Sequence, residues 1–456
     1  MNEILDFAIE AALKGGARYA EVRVIKSSSS GFLLRNGNLD ESSSEESEGL
    51  SVRILTEGFG FASTSSMSKE RVRKTVERAL RNGSAQKERI EIMEMKGEKH
   101  SERKKAATDG AFERLKTFDA ELTDCPMRIM SFSQGIEEKF YRNSDGSDIH
   151  TTLPRSFLFV FLTVGEESTG YEQFMNEFGG VGGTELFHDW NFEEKTKEQK
   201  DGVLRCLKEK NPPPKGKVDY VVGPKISGLA AHESCGHPFE ADRILGREMA
   251  QAGGSFLNGA EIGQRIGSKS ASVIDDPTIG KSFGYYRYDD EGVKARKRYL
   301  IKEGRINEFL QNRETASIMG MASNGSARAN AYDVEPIVRM ANTYIEPGDH
   351  SLEELIEGID EGIFMKNYME WNIDDKRLNQ KYTACEAYLI EKGEIKGTLY
   401  RPKLEVTTQG FYSAIDACSK DLEFSAATCG KGEPMQAIPV FIGGPYVRLR
   451  GVKNEQ

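Results

Sequence analysis

The run Val218-Asp219-Tyr220-Val221-Val222-Gly223-Pro224, followed by His232-Glu233-Ser234-Cys235-Gly236-His237, decides how the second half of this chain is built. Val218 to Val222 reads as a strand. Gly223-Pro224 then starts a helix, with proline in the first turn, where its missing N–H costs nothing. Ile226, Leu229 and Ala230 make that helix apolar, and it ends by delivering two of the chain's six histidines in one hexapeptide, H-E-x-x-x-H. An imidazole on each side of a carboxylate is the ligand, base, ligand order used by zinc hydrolases. The other histidines, His100, His150, His188 and His350, are scattered through polar stretches.

The spacing of the pair makes a structural demand. In an ideal α-helix, residues i and i+5 are about 140° apart with roughly 7.5 Å of rise, so they cannot share a small ion. A one-residue π-bulge brings them together, and Gly236 is the residue most able to absorb it. Two histidines leave a catalytic zinc one protein ligand short. Glu240, Asp242, Cys235, Cys418 and Cys429 are the candidates. Cys235 lies inside the hexapeptide and is expected to point away. Glu240, three residues after His237, can share its helix face as ligand or supporting partner. Cys429 precedes a flexible Gly430-Lys431-Gly432 turn.

Working outward, 456 residues are too many for one small core. Ile4, Leu5, Ala8, Ile9 and Ala12 form a helical stripe, followed by short strands at Ala20–Val24, Gly31–Leu34 and Leu50–Ile54. A second helix is capped by Ser68. Asp40 to Glu48 reads as a polar edge or loop. Ala85 to Lys105 reads as a charged linker or exposed strand. Phe157 to Leu162 is a buried strand, far too short to cross a bilayer. Asn211-Pro212-Pro213-Pro214 stiffens the chain and marks a boundary. Beyond it, short strand-like runs punctuated by glycine predict an antiparallel, β-rich region around one helix. The expectation is an α+β, two-domain subunit: an amino-terminal α/β domain over 1–210 and a β-rich carboxyl-terminal domain over 211–456 that carries the site helix.

The net charge of -10 disfavours binding to a nucleic-acid backbone. No membrane span is expected, and Met1-Asn2-Glu3-Ile4-Leu5-Asp6 lacks the order of a secretion signal. Six cysteines without paired spacing read as reduced thiols, so a cytoplasmic location is expected. Cys125, Cys206, Cys385 and Cys418 read as small buried residues.

His232 to His237, continued by Pro238-Phe239-Glu240-Ala241-Asp242, resembles the signature of the TldD/PmbA family of metallopeptidases. Thr428-Cys429-Gly430-Lys431 resembles that family's late cysteine motif. Asp275-Asp276-Pro277-Thr278, Asp289-Asp290-Glu291-Gly292, Arg339-Met340-Ala341-Asn342-Thr343-Tyr344 and Glu386 to Ile390 follow in order, as do Tyr19 to Arg23 and Gly58 to Ala62. The likeness covers most of the chain and is weak over about 96–153. It implies zinc held by His232, His237 and Cys429, with Glu233 as the base that activates a zinc-bound water. It also implies hydrolysis of short or unstructured peptides, and a homodimer or a heterodimer with a zinc-less PmbA-type paralogue. Pro238-Phe239 departs from the smaller residues the family motif leads one to expect, which bears on the pocket beside the site.

Other readings stand beside these. Glu240 and Asp242 read as a helix end or as partners of the ligands. Arg339 and Asn342 are candidates for holding substrate or an oxyanion, or for structural hydrogen bonding. Asp289-Asp290-Glu291 reads as a surface turn, since a calcium loop's pattern is missing. The glycines at 179–183 lack the residues of a phosphate loop. The competing function is a non-catalytic scaffold or regulatory subunit with a structural, four-ligand zinc.

Overall fold

Serines that favour turns in isolation run here as long strands. The computed structural model describes residues 1–248 and 253–454. Tyr19–Arg35 and Asn38–Leu55 form one antiparallel hairpin in which Ser27 faces Ser47 and Ser30 faces Ser44. The separate strands expected at Ala20–Val24 and Gly31–Leu34 are therefore one. Tyr19–Arg35 is paired on both sides, with Met127–Asn143 as its other neighbour, and those backbone bonds outweigh the local preference of serine. Asp40 to Glu48 is strand, not loop, but its edge reading holds. The next strand, Phe59–Thr64, pairs only with Leu50–Leu55. The glutamates left on the open edge discourage pairing with other chains.

The sheet continues through Asp148–Glu166, which pairs with Lys99–Arg103 at one end and Gly170–Val181 along the other. Helices Asn2–Lys14 and Lys69–Ser84 lay Leu5, Ala8, Ala12, Val72, Val76 and Ala79 against Val22, Val24, Val52 and Ile54. Ser68 caps the second of these by accepting from the Arg71 N–H. Helices Ala111–Ala120 and Phe192–Glu209 cover Leu158, Val160 and Leu162. The strand expected to be buried throughout is thus buried on alternate residues, while Phe157 stacks on Phe283 from the later chain.

From Gly216 onward the chain builds two further large sheets and a two-stranded ribbon. One has seven strands, centred on Gly216–Val222 with Glu361–Ile373 and Val447–Asn454 as neighbours. The other has six, running from Arg305–Ile306 through Asn342–Ile345 and Gln436–Gly444 to Glu423–Lys431 at its end. The expected antiparallel pattern dominates, with two exceptions. Glu361–Ile373 lies parallel to Gly216–Val222, and Asn342–Ile345 parallel to Gln436–Gly444. Both partners are reached by long connections, which permit parallel neighbours where a hairpin cannot.

The helix Pro224–Ala230 touches Gln436–Gly444 and Asn342–Ile345 of one sheet and Glu361–Ile373 of the other. Its approach is close: a Cβ on Gly228 would lie 2.7 Å from the backbone nitrogen of Gly443. Helix and sheet meet backbone to backbone, which orients the hexapeptide that follows.

Asp289-Asp290-Glu291 is not a surface turn. All three are buried where the first sheet meets the later chain. Arg53 pairs with Glu21 at 3.0 Å and Glu291 at 2.8 Å, and Lys139 with Asp290 at 2.7 Å. Cations of the first sheet, taken out of water, require counter-charges, and this acidic run supplies them.

Candidate metal centre

Past Ala230 the helix widens into a π-turn spanning Ala231–Gly236. The N–H of His237 donates to the carbonyl of His232 at 3.1 Å, the i to i+5 bond that the histidine spacing demanded. Widening brings the two imidazoles onto one face, with ring centroids 4.8 Å apart and planes at 80°. Gly236 is needed here for space. A Cβ at this position would sit 1.9 Å from the sulfur of the fully buried Met340. Gly236→Ala is therefore expected to destabilise the fold by about 1–3 kcal/mol through overpacking. It should also weaken metal uptake, because His237 is the next residue. An unchanged denaturant midpoint would refute the packing argument.

Cys429 enters from the end strand Glu423–Lys431, and its Sγ lies 3.4 Å from Nε2 of His237. Candidate ligand atoms of His232, His237 and Cys429 all lie within 4.8 Å of one another. Burial alone would raise the Cys429 thiol, but His237, by charge and hydrogen bond, together with Arg339 outweighs it and leaves the thiol at about 7. Cys418, in apolar surroundings, is pushed up to about 12 by burial, and Cys235 packs into the apolar core. Burial favours neutral His232, and its Nδ1 is buried without a hydrogen-bond partner. Two imidazoles and an ionisable thiol, one with a spare nitrogen, fit the donor set and softness preferred by zinc.

Glu240 is placed behind His237. Its Oε2 accepts from His237 Nδ1 at 3.2 Å, which leaves Nε2 facing Cys429. The same oxygen accepts from Arg243 Nε at 2.6 Å and lies 3.2 Å from Lys431 Nζ. Burial would raise this carboxyl, yet Lys431, His237 and Arg243 hold it well below the usual range. Asp242 takes two contacts from Lys431, at 2.7 and 2.8 Å. Lys431 thus joins the cysteine strand to the segment after the histidines.

Arg339 and Asn342 act as braces. Arg339 donates to the carbonyls of Cys429 and Gln436, which anchors the strand that presents the thiol. Asn342 donates to Asp276 O at 2.6 Å and Ser282 Oγ at 2.9 Å, and accepts from the N–H groups of Gly284 and Phe441. Phe239, part of the departure from the family motif, is fully buried against Phe309.

Glu233 stands beside the three-residue cluster with its side chain 11% exposed, and it makes a close ion pair with Arg377. Burial opposes its charge, while His237, Arg377 and His232 hold it below its ordinary value. Arg377 lies in the turn between strands Glu361–Ile373 and Asn379–Glu391, in the charged run Asp374-Asp375-Lys376-Arg377. Sequence reasoning did not single it out. Nothing in that run distinguishes it from a solvated turn.

Comparison with known proteins follows the same residues. Residues 215–455 match the PmbA/TldA metallopeptidase C-terminal domain, and residues 20–83 match PmbA/TldA metallopeptidase domain 1. A metalloprotease of Methanocaldococcus jannaschii is 34% identical over 96% of this chain and 97% of its own length. A zinc metalloprotease TldD homolog of Saccharolobus solfataricus is 26% identical over 89% of each chain. Among solved structures, TldE from Thermococcus kodakarensis superimposes with a TM-score of 0.76 at 19% identity, covering 99% of this chain and 100% of that one.

Proposed function

The chain belongs to the PmbA/TldA metallopeptidase family, and on that premise we propose that it is a zinc-dependent peptidase acting on short or unstructured peptides. One observation carries the reading: His232, His237 and Cys429 converge with ligand atoms within 4.8 Å of one another, and the buried Glu233 between the two histidines in sequence is close enough for their charges to lower its carboxyl. These three residues would hold the ion. Zinc, when bound, supplies a Lewis acid that polarises the scissile carbonyl and acidifies water. Glu233 takes the proton of the attacking water and later delivers it to the departing amine. Glu240 keeps His237 oriented with Nε2 toward the ion, the usual service of a carboxylate behind a ligating histidine. Asp242 acts one step further out, holding Lys431 in place.

Substrate choice follows from backbone chemistry. An extended peptide that adds to a sheet edge near the site is recognised through its N–H and C=O groups and can carry varied side chains. Peptides methylated on those nitrogens should be cut far more slowly than their parents, and equal cleavage would refute strand addition. We place the protein in the cytosol, supported by its six free, buried cysteines. We also infer that it works as a homodimer or beside a PmbA-type paralogue, as the likeness to a TldE suggests. No helix among the described residues is long and apolar enough to cross a membrane.

Metal removal tests the proposal. A pool of unstructured peptides should be cleaved by the zinc-loaded protein, left intact after chelation, and cleaved again once zinc is restored. The melting temperature should fall and recover in step, because an ion bound only by the folded state stabilises it. Cleavage that survives complete removal of zinc would overturn the reading.

A further inference from the structure

We propose that Arg377, with Gln380 three residues on in the same hairpin, holds the carbonyl oxygen of the peptide bond being cleaved. The inference rests on the peptidase reading and adds the electrophilic half of the site. A carbonyl under attack must lie within hydrogen-bond reach of the water that Glu233 deprotonates, so a donor that already touches Glu233 borders the same space. Arg377 touches it through Nη1.

The hydrogen bonds of the two side chains point the same way. Gln380 Oε1 accepts from the Tyr382 hydroxyl at 2.6 Å, and its Nε2 is buried without a partner. Arg377 Nε is also buried and unpartnered. Arg377 is 7% exposed and Gln380 4%. Buried donors are nearly always satisfied, so two left over, one on the side chain that touches the candidate base and one three residues along the same hairpin, call for an acceptor that arrives with the substrate.

Other cations around the hexapeptide are committed. Lys431 is spent on Asp242 and the Val338 carbonyl, and Arg243 on Glu240. Arg339 also has a spare Nε, but it is fully buried and its other nitrogens grip the carbonyls of Cys429 and Gln436.

The turn is built to aim Arg377 without using its side chain. Asp374 accepts from the N–H groups of Leu378 at 2.8 Å and Asn379 at 3.0 Å, and Thr408 Oγ1 donates to the Arg377 carbonyl at 2.7 Å. These bonds hold Arg377 at φ 60, a left-handed conformation that a side chain with a Cβ rarely adopts.

In the step itself, the water oxygen bonds to the carbonyl carbon as its proton passes to Glu233. The C=O π pair moves onto oxygen, where the guanidinium and the Gln380 amide meet the new charge. When that pair returns, the C–N bond breaks and the amine leaves with the proton from Glu233. The products are a carboxylic acid and an amine, and the acid's proton then passes to the amine to leave a carboxylate and an ammonium.

The test uses zinc-loaded protein carrying Arg377→Gly, since glycine accepts this φ without strain. Its kcat should fall about 10²–10³-fold, the usual cost of losing an oxyanion donor, with KM little changed. Zinc content should stay at the wild-type value and the melting temperature should fall, because buried Glu233 loses its cationic partner; added guanidinium should restore part of the rate. Affinity for a phosphinic peptide that mimics the tetrahedral species, measured by calorimetry, should drop in proportion to kcat/KM. Gln380→Leu should show the same pattern with a smaller loss, and Arg377→Lys should fall between wild type and glycine. Wild-type kcat in Arg377→Gly, or unaltered phosphinate affinity, would overturn the assignment. Wild type run in parallel separates the two failures: if it too cleaves nothing, the peptidase reading falls and this assignment falls with it.

Discussion

Glu233→Gln is expected to lower peptide cleavage by about 10²–10⁴-fold, the range associated with a lost general base, while zinc stays bound at the wild-type level. The substitution preserves shape. Its amide oxygen can still accept from Arg377, so the hairpin that covers the site keeps its contact. What disappears is the ability to take a proton. His232 and His237 lie on either side of Glu233 in sequence, but the metal cluster draws on His232, His237 and Cys429, so the ligand set is untouched. Steady-state kinetics and metal analysis on the same preparation separate the possibilities. Loss of zinc together with activity would mean Glu233 helps to hold the ion. Full activity would remove it from the mechanism.

Glu240→Ala should produce the largest loss of stability. The carboxylate is buried and meets three cationic or potentially cationic partners: His237, Arg243 and Lys431. Deleting it leaves Arg243 and Lys431 out of water with a counter-charge removed, a change that typically costs about 3–5 kcal/mol. Zinc affinity should fall about 10–100-fold as well, because His237 loses the acceptor that orients its ring. Chemical denaturation with and without zinc, plus a competitive zinc titration, measures both. A stable variant with normal affinity would show that Arg243 and Lys431 hold the site without Glu240.

The parts of this site that could be read in advance were those governed by local geometry. Val218 to Val222 followed by Gly223-Pro224 announces a strand and a helix. The five-residue spacing of His232 and His237 forces the helix to widen, as Ala231–Gly236 does. Glu240, three residues past His237, was within reach of the same face. Cys429 was only one of several candidates on local pattern, because 192 residues separate it from His237 and only family likeness joined them. Arg377 was invisible for the same reason. It lies 144 residues from Glu233 in a charged turn with no periodicity to read. The serine-rich strands and Asp289-Asp290-Glu291 misled in a related way. Polar residues suggest solvent, and only the tertiary partners reveal that Tyr19–Arg35 is paired on both sides and that Glu291 neutralises Arg53.

The claim on which all this depends is an ion held by two histidines and one cysteine with a position left open for chemistry. X-ray absorption at the zinc edge of the zinc-loaded protein tests it most directly. The expected shell has one sulfur at about 2.3 Å, two imidazole nitrogens at about 2.0–2.1 Å and one exchangeable light ligand. The sulfur contribution should vanish in Cys429→Ser. A shell without sulfur, or one closed by a fourth protein ligand that excludes water, would contradict the account and favour a structural metal.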